Sequence, residues 1–230
     1  MRNANTLAAL LVAATFTVQT PLSAQTTFGV LAGGNAATLA GVDVSGSDIF
    51  SNSTSIKRNM GFQAGLYLNK RLTSVWSLQP ELHYVQKGAQ LEAGTGAGLG
   101  SLVFKLGYGE IPLLLRADFG SGSWRPFVTV GPTFAMRTSC KAEAETEEIK
   151  LSVDCNEFEG EGGTAEDPFT KTDVGGSAGV GLAGSMLGRS AFVQIRYGRG
   201  FTNVVTDAAN AGSDEKPKNS VISLILGIGR

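Results

Sequence analysis

Six side chains in this 230-residue chain have the types and spacings from which chemistry could be built: Glu81, His83, Glu110, Arg116, Asp118 and Arg196. Glu81 and His83 stand two positions apart, so in an extended strand they share a face and the carboxylate can orient the imidazole. A histidine held that way is the base of a nucleophilic hydrolase or acyltransferase, but the sequence sets no obvious nucleophile beside it. The sole histidine is therefore read as a satisfied interior group, with a barrel-embedded hydrolase or acyltransferase using His83 as the competing reading. The two arginines and the other carboxylates read as a buried ion-pair network that takes the place of a pore, because charges withdrawn from water must be paired. A gated proton or ion path through the same groups is the alternative. No catalytic residue is assigned.

Three further features invite chemistry. Cys140 and Cys155 are the only cysteines. With an export signal upstream they read as a disulfide, worth about 3 kcal/mol on the chain-entropy model, and two thiols without a neighbouring histidine are too few for zinc. Gly94 to Gly100 is rich in glycine, but it lacks the spacing of a dinucleotide loop and no helix pattern follows. The acidic run from Glu143 to Asp167 could gather calcium, yet it has no EF-hand spacing and reads as a solvated loop. The expectation is no cofactor and no metal. A net charge of −1 implies no nucleic-acid partner.

The elements that must position these residues are strands. Tyr108 to Met136 reads as two long arms around the turn Gly120 to Ser123. Ile111, Leu113, Leu115, Ala117 and Phe119 share one face of the first arm; Glu110, Arg116 and Asp118 share the other. In the second arm Trp124, Val128, Val130, Phe134 and Met136 oppose Thr129, Gly131, Thr133 and Arg137. Each arm is long enough to cross a bilayer, where a tilted strand needs about 9–11 residues. Trp124 and Phe134 would lie roughly 23 Å apart along the membrane normal, near the ~25 Å apolar band of a membrane barrel.

The chain opens with Arg2, an apolar run from Leu7 to Val18, then Gln-Thr-Pro-Leu-Ser-Ala with the small Ala24 last, the pattern of a secretory signal peptide over 1–24. The domain expected is 25–230. Further strands are read over Thr26 to Thr38, Asn59 to Asn69, Val75 to Lys87, Thr172 to Leu187, Ala191 to Phe201 and a last one centred on Ile222 to Ile228. The connections alternate long and short, with Thr138 to Lys171 the longest. This is an all-β, eight-stranded antiparallel up-and-down transmembrane barrel, with short turns and both termini on the periplasmic side.

Alternation alone does not say which face points outward, and a soluble lipocalin-like carrier of a small ligand would have its apolar face inside. The polar face here is mostly Gly, Ser, Thr and Gln with charges of both signs, which suits a crowded interior. Aromatics collect at both ends of the apolar face: Trp76, Phe119 and Trp124 by short turns, Tyr84, Phe134 and Tyr197 toward long loops. Pro80, Pro112 and Pro132 each remove a ladder donor; bulges at those points would resolve the loss, and the sequence does not show them.

Ile-Pro-Leu-Leu-Leu-Arg at 111–116, Arg-Pro-Phe-Val-Thr-Val-Gly-Pro at 125–132, Gly-Val-Gly-Leu at 179–182 and Arg-Tyr-Gly-Arg-Gly-Phe-Thr-Asn at 196–203 together resemble the PorT-type outer-membrane β-barrel family of bacteria. The resemblance spans nearly all of Gln25 to Arg230. It implies a barrel of eight to ten strands in the bacterial outer membrane, in contact with outer-membrane lipid and assembled by the outer-membrane assembly machinery. Such barrels usually end in an aromatic residue, whereas this sequence ends Gly-Ile-Gly-Arg. The expected role is structural or surface-interacting and not enzymatic, with a surface partner docking through the 138–171 loop.

Overall fold

A computed structural model describes residues 26–40, 55–92, 101–145, 150–154, 169–205 and 216–230. The strands are β1 (Thr26–Ala40), β2 (Ser55–Arg71), β3 (Trp76–Glu92), β4 (Ser101–Asp118), β5 (Trp124–Glu145), β6 (Lys150–Asp154), β7 (Thr172–Met186), β8 (Arg189–Gly200) and β9 (Lys218–Gly229). All pair antiparallel with their neighbours, and β1 closes onto β9, so every strand except β6 belongs to one eight-stranded barrel. The signal segment 1–24 lies outside the described residues. Among those that are described, no helix is long and apolar enough to cross a membrane.

Period 2 determines what points where. Along β4, Ile111, Leu113 and Leu115 are exposed on the outer wall while Glu110, Leu114, Arg116 and Asp118 are buried in the lumen. Val130 on β5 is 57% exposed, and Ile195 and Leu224 are likewise turned out. The apolar face is therefore the outside, the inverse of a soluble carrier barrel. Both aromatic ends are present: Trp76, Phe119 and Trp124 are exposed beside the short turns, Phe134 and Tyr197 at the other rim. Tyr84 packs there against Phe62 with ring centroids 5.7 Å apart. Ala117 also faces outward but is covered, with Trp76 and Val128 as its cross-strand neighbours.

The barrel is taller on one side than its apolar pattern predicts. At about 3.3 Å per residue and a tilt of ~45°, the 12 residues of β8 rise about 28 Å, close to the membrane band. The 22 residues of β5 rise about 51 Å on the same reckoning. Strand five thus continues nine residues beyond Met136 to Glu145, and β6 pairs back onto it from Glu145↔Lys150 to Lys141↔Asp154. Part of what reads as the 138–171 loop is a β-ribbon standing above the membrane. Its Lys-Ala-Glu-Ala-Glu sequence alternates too, but above the lipid nothing requires the outer face to be apolar, so the alternation carries no hydrophobic signal.

The three prolines sit in short lapses of the ladder and do not create bulges. Pro80↔Leu113 and His83↔Glu110 keep one register across the gap between β3 and β4. Pro112↔Thr133 and Leu115↔Val130 do the same between β4 and β5, opposite Pro132. The register shifts lie elsewhere, between Gly107 and Tyr108 and between Arg58 and Gln63.

Candidate functional site

The lumen brings the charged residues together in one chain of contacts. Arg196 on β8 donates through Nη1 and Nη2 to the two carboxylate oxygens of Glu81 on β3, at 2.6 and 2.7 Å. Counting round the ring, β3 and β8 are four strands apart in either direction, so this pair crosses the full diameter. Arg196 Nη2 also donates to Gln194 Oε1 at 2.7 Å, and Gln194 Nε2 to Thr129 Oγ1 at 2.7 Å. Gln79 Nε2 donates to Glu81 Oε1 at 2.8 Å and its own Oε1 accepts from Arg116 Nη1 at 3.2 Å. Arg116 grips Asp118 with Nε and Nη2 at 3.0 and 2.7 Å.

Towards the long-loop end the network continues through residues that sequence reasoning left out of it. Lys87 Nζ stands 2.6 Å from Glu110 and 3.5 Å from Asp173, and Asn219 Nδ2 donates to Asp173 at 2.9 Å. Lys87 and Asp173 have the inward parity of their strands, and that parity was the signal that could have found them. His83 lies between the two halves, its Nε2 at 3.9 Å from both Glu81 and Glu110. Neither ring nitrogen has a hydrogen-bond partner among the described residues, so His83 is an interior group as read from the sequence but not a satisfied one. No hydroxyl or thiol is therefore held against it as a nucleophile would be. The cavity beside it, bordered by His83, Ser177 and Asn219, is about 30 Å³, room for one or two waters.

The interior is not wholly polar, as a count of Gly, Ser, Thr and Gln suggests. Leu31, Tyr67, Phe127, Ala183, Phe192 and Ile225 form an apolar layer near the short-turn end. Tyr67, Phe127 and Phe192 stack edge to face with centroids 5.2 and 5.9 Å apart. Each ring lies over a glycine directly across the ladder, Gly29, Gly181 and Gly227 respectively. A Cβ at any of the three would strike the ring; three large aromatics fit this bore because their partners have no side chain. Arg116 lies 3.8 Å above the Phe127 ring centre, tying this layer to the ionic one. At the opposite end Val85, Leu106, Tyr108, Cys140 and Val204 form a second apolar layer with Phe169 packed on it. The bridge Phe169↔Val205 draws chain from two long connections together there.

Among the described residues no cysteine is free and no cluster of acidic, histidine and cysteine side chains has the makings of a metal site. Cys140 is buried on β5; Cys155 and most of the acidic run lie outside the described residues.

An up-and-down antiparallel barrel with an apolar outer wall, aromatic rims and a filled, ionic lumen is the architecture of a bacterial outer-membrane protein. The family model for the outer membrane protein beta-barrel domain matches residues 19–206, and the chain belongs to that family. No curated protein matches it. Solved structures similar to it include Neisserial surface protein A (12% identity, 88% of this chain and 97% of that one, TM-score 0.42). Ail, the attachment invasion locus protein of Yersinia pestis, is also similar (11%, 90% and 99%, 0.42), as is OprG from Pseudomonas aeruginosa (13%, 89% and 94%, 0.44). The protein is localised in the bacterial outer membrane.

Proposed function

We propose that this barrel is a closed, non-enzymatic membrane anchor that carries its function on the outside, in the ribbon and long loops above the membrane. One observation carries the reading: the Glu81–Arg196 pair spans the lumen between opposite strands, and an apolar layer lies on either side of it. Glu81, His83, Glu110, Arg116, Asp118 and Arg196 then act as an internal brace. The β5–β6 ribbon, with Cys140 bonded to Cys155, is the part offered to a surface partner. The motifs on β4, β5, β7 and β8 support a PorT-type placement within the family.

Two measurements test this. Purified protein reconstituted in planar bilayers should give no steady conductance above the protein-free membrane; a reproducible open level would instead favour an ion path through the same groups. Proteolysis of intact cells should cleave within 138–171 and leave the barrel strands intact. Protection of that segment in intact cells, with cleavage only after permeabilisation, would place it on the wrong side for surface docking.

A further inference from the structure

The short-turn mouth contains a concave site with an unbalanced charge. A cavity of about 150 Å³ lies there, bordered by Arg71, Arg116 and Arg125 against a single acid, Asp118. Arg116 is already neutralised by its two-pronged contact with Asp118. Arg71 at the end of β2 and Arg125 at the start of β5 make no ion pair among the described residues. The floor of the cavity is the aromatic layer, and it includes a second feature pointing to a ligand. Tyr67 is 2% exposed, lines the cavity, and its hydroxyl has no hydrogen-bond partner among the described residues. A buried hydroxyl without a partner costs about 1–3 kcal/mol, so the position needs an acceptor or donor brought from outside.

We infer that this mouth is a binding site for a small oxyanion, a phosphate or a carboxylate, entering from the periplasm and held by Arg71 and Arg125 with Tyr67 beneath it. The chemistry fits at each point. Guanidinium groups present paired N–H donors that match the two oxygens of a carboxylate or phosphate. Arg116 spends three of its five N–H groups on Asp118 and Gln79, which leaves it rigid with donors to spare. The aromatic floor keeps lumen water away and strengthens charge attraction at that wall. A cavity of about 150 Å³ admits a benzene-sized guest, which suits one phosphate or one chain-terminal carboxylate and excludes a folded domain. The site is separate from the surface role proposed above, and either can fail alone.

The test uses the full folded protein in detergent micelles and calorimetric titration with two probes. Inorganic phosphate represents a free anion; N-acetyl-dialanine represents a peptide terminus, with its C-terminal amide as the matched uncharged control. Saturable binding of phosphate or of the free-acid peptide is expected, weaker by about tenfold or more in Arg71→Gln and in Arg125→Gln, and weakened in Tyr67→Phe. Lys70→Gln, on the outer wall, should bind as the unaltered protein does. Preference between the probes identifies the source of the anion. No saturable binding of either probe by the folded protein, or affinities unchanged in the arginine variants, overturns the inference. Should a variant fail to migrate as a folded barrel, salt decides: affinity of the unaltered protein must fall with ionic strength, and salt-independent binding overturns it.

Discussion

Replacing Glu81 with Met leaves Arg196 charged, buried and facing an apolar side chain across the lumen. In the native barrel both prongs of Arg196 end on Glu81 at 2.6 and 2.7 Å, the Glu81 side chain is fully shielded, and Arg196 is only 5% exposed. Breaking such a buried pair costs about 3–5 kcal/mol, a drop of roughly a hundred- to a few thousand-fold in the ratio of folded to unfolded protein. The reverse replacement, Arg196→Met, should cost less. The orphaned Glu81 keeps the hydrogen bond from Gln79 and still has the His83 ring beside it, Nε2 at 3.9 Å. Arg196 without Glu81 keeps Gln194, which carries no charge. The double replacement removes both charges and should be milder than the sum of the two singles by at least about 2 kcal/mol, since apolar substitutes for a whole buried pair are often tolerated. Equilibrium unfolding in urea from lipid vesicles, followed by heat-modifiable gel migration, measures all three as midpoint shifts at unchanged slope. Single variants within about 0.5 kcal/mol of the native protein, where ordinary surface changes fall, or strictly additive effects, would refute a brace across the bore.

Three other outcomes follow from the same geometry. Gly227→Val places a branched side chain where the Phe192 ring lies and should destabilise by about 1–3 kcal/mol, with part recovered in the double variant Gly227→Val, Phe192→Ala; no recovery would mean the ring is not what the glycine accommodates. Val130→Lys, midway between Trp124 and Phe134 on the outer wall, should cost about 2–4 kcal/mol, whereas Met136→Lys beyond the rim should cost about 0–1; equal penalties would contradict the placement of the lipid band. A membrane-impermeant maleimide on intact cells should label Leu151→Cys on β6 and leave Leu187→Cys untouched, although Leu187 is 93% exposed at the β7–β8 turn; the opposite pattern would invert the barrel.

What the sequence reveals and what it hides follow from where lipid meets the chain. Between the two aromatic rims each outward residue must be apolar, so Ile111, Leu113, Val130 and Ile195 declare their strands, and Glu110, Arg116 and Arg196 are placed by parity alone. Above the rims that constraint ends, and Ala142 to Glu145 pair as strand without announcing it. Inside, parity tells which residues share the lumen but not which of them meet. The crossing of Glu81 to Arg196, separated by 115 positions, depends on the strand count and on the stagger of the whole ring. The aromatic layer was hidden for a related reason: Tyr67 and Phe127 look out of place on a glycine-rich face until the register sets each ring over Gly29 or Gly181.

Closure and stability arise here from the same side chains. Half of every strand points into a bore of eight strands, which has little more than the space its side chains fill, so any charge admitted there must find a counterpart within it, on its own strand, a neighbour or across the lumen, or lose several kcal/mol. Pairing across the diameter joins strands that are far apart in the ladder, and such contacts resist ovalisation of the ring in a way that neighbouring-strand bonds cannot. The apolar layers at either end then shield the pairs from water and keep them strong. The long connections take part in that closure, since Val204 and Phe169 complete the layer at their end of the bore. The exposed positions of the β5–β6 ribbon, Lys141, Leu151, Ser152 and Asp154, lie outside that layer and carry no part of the brace.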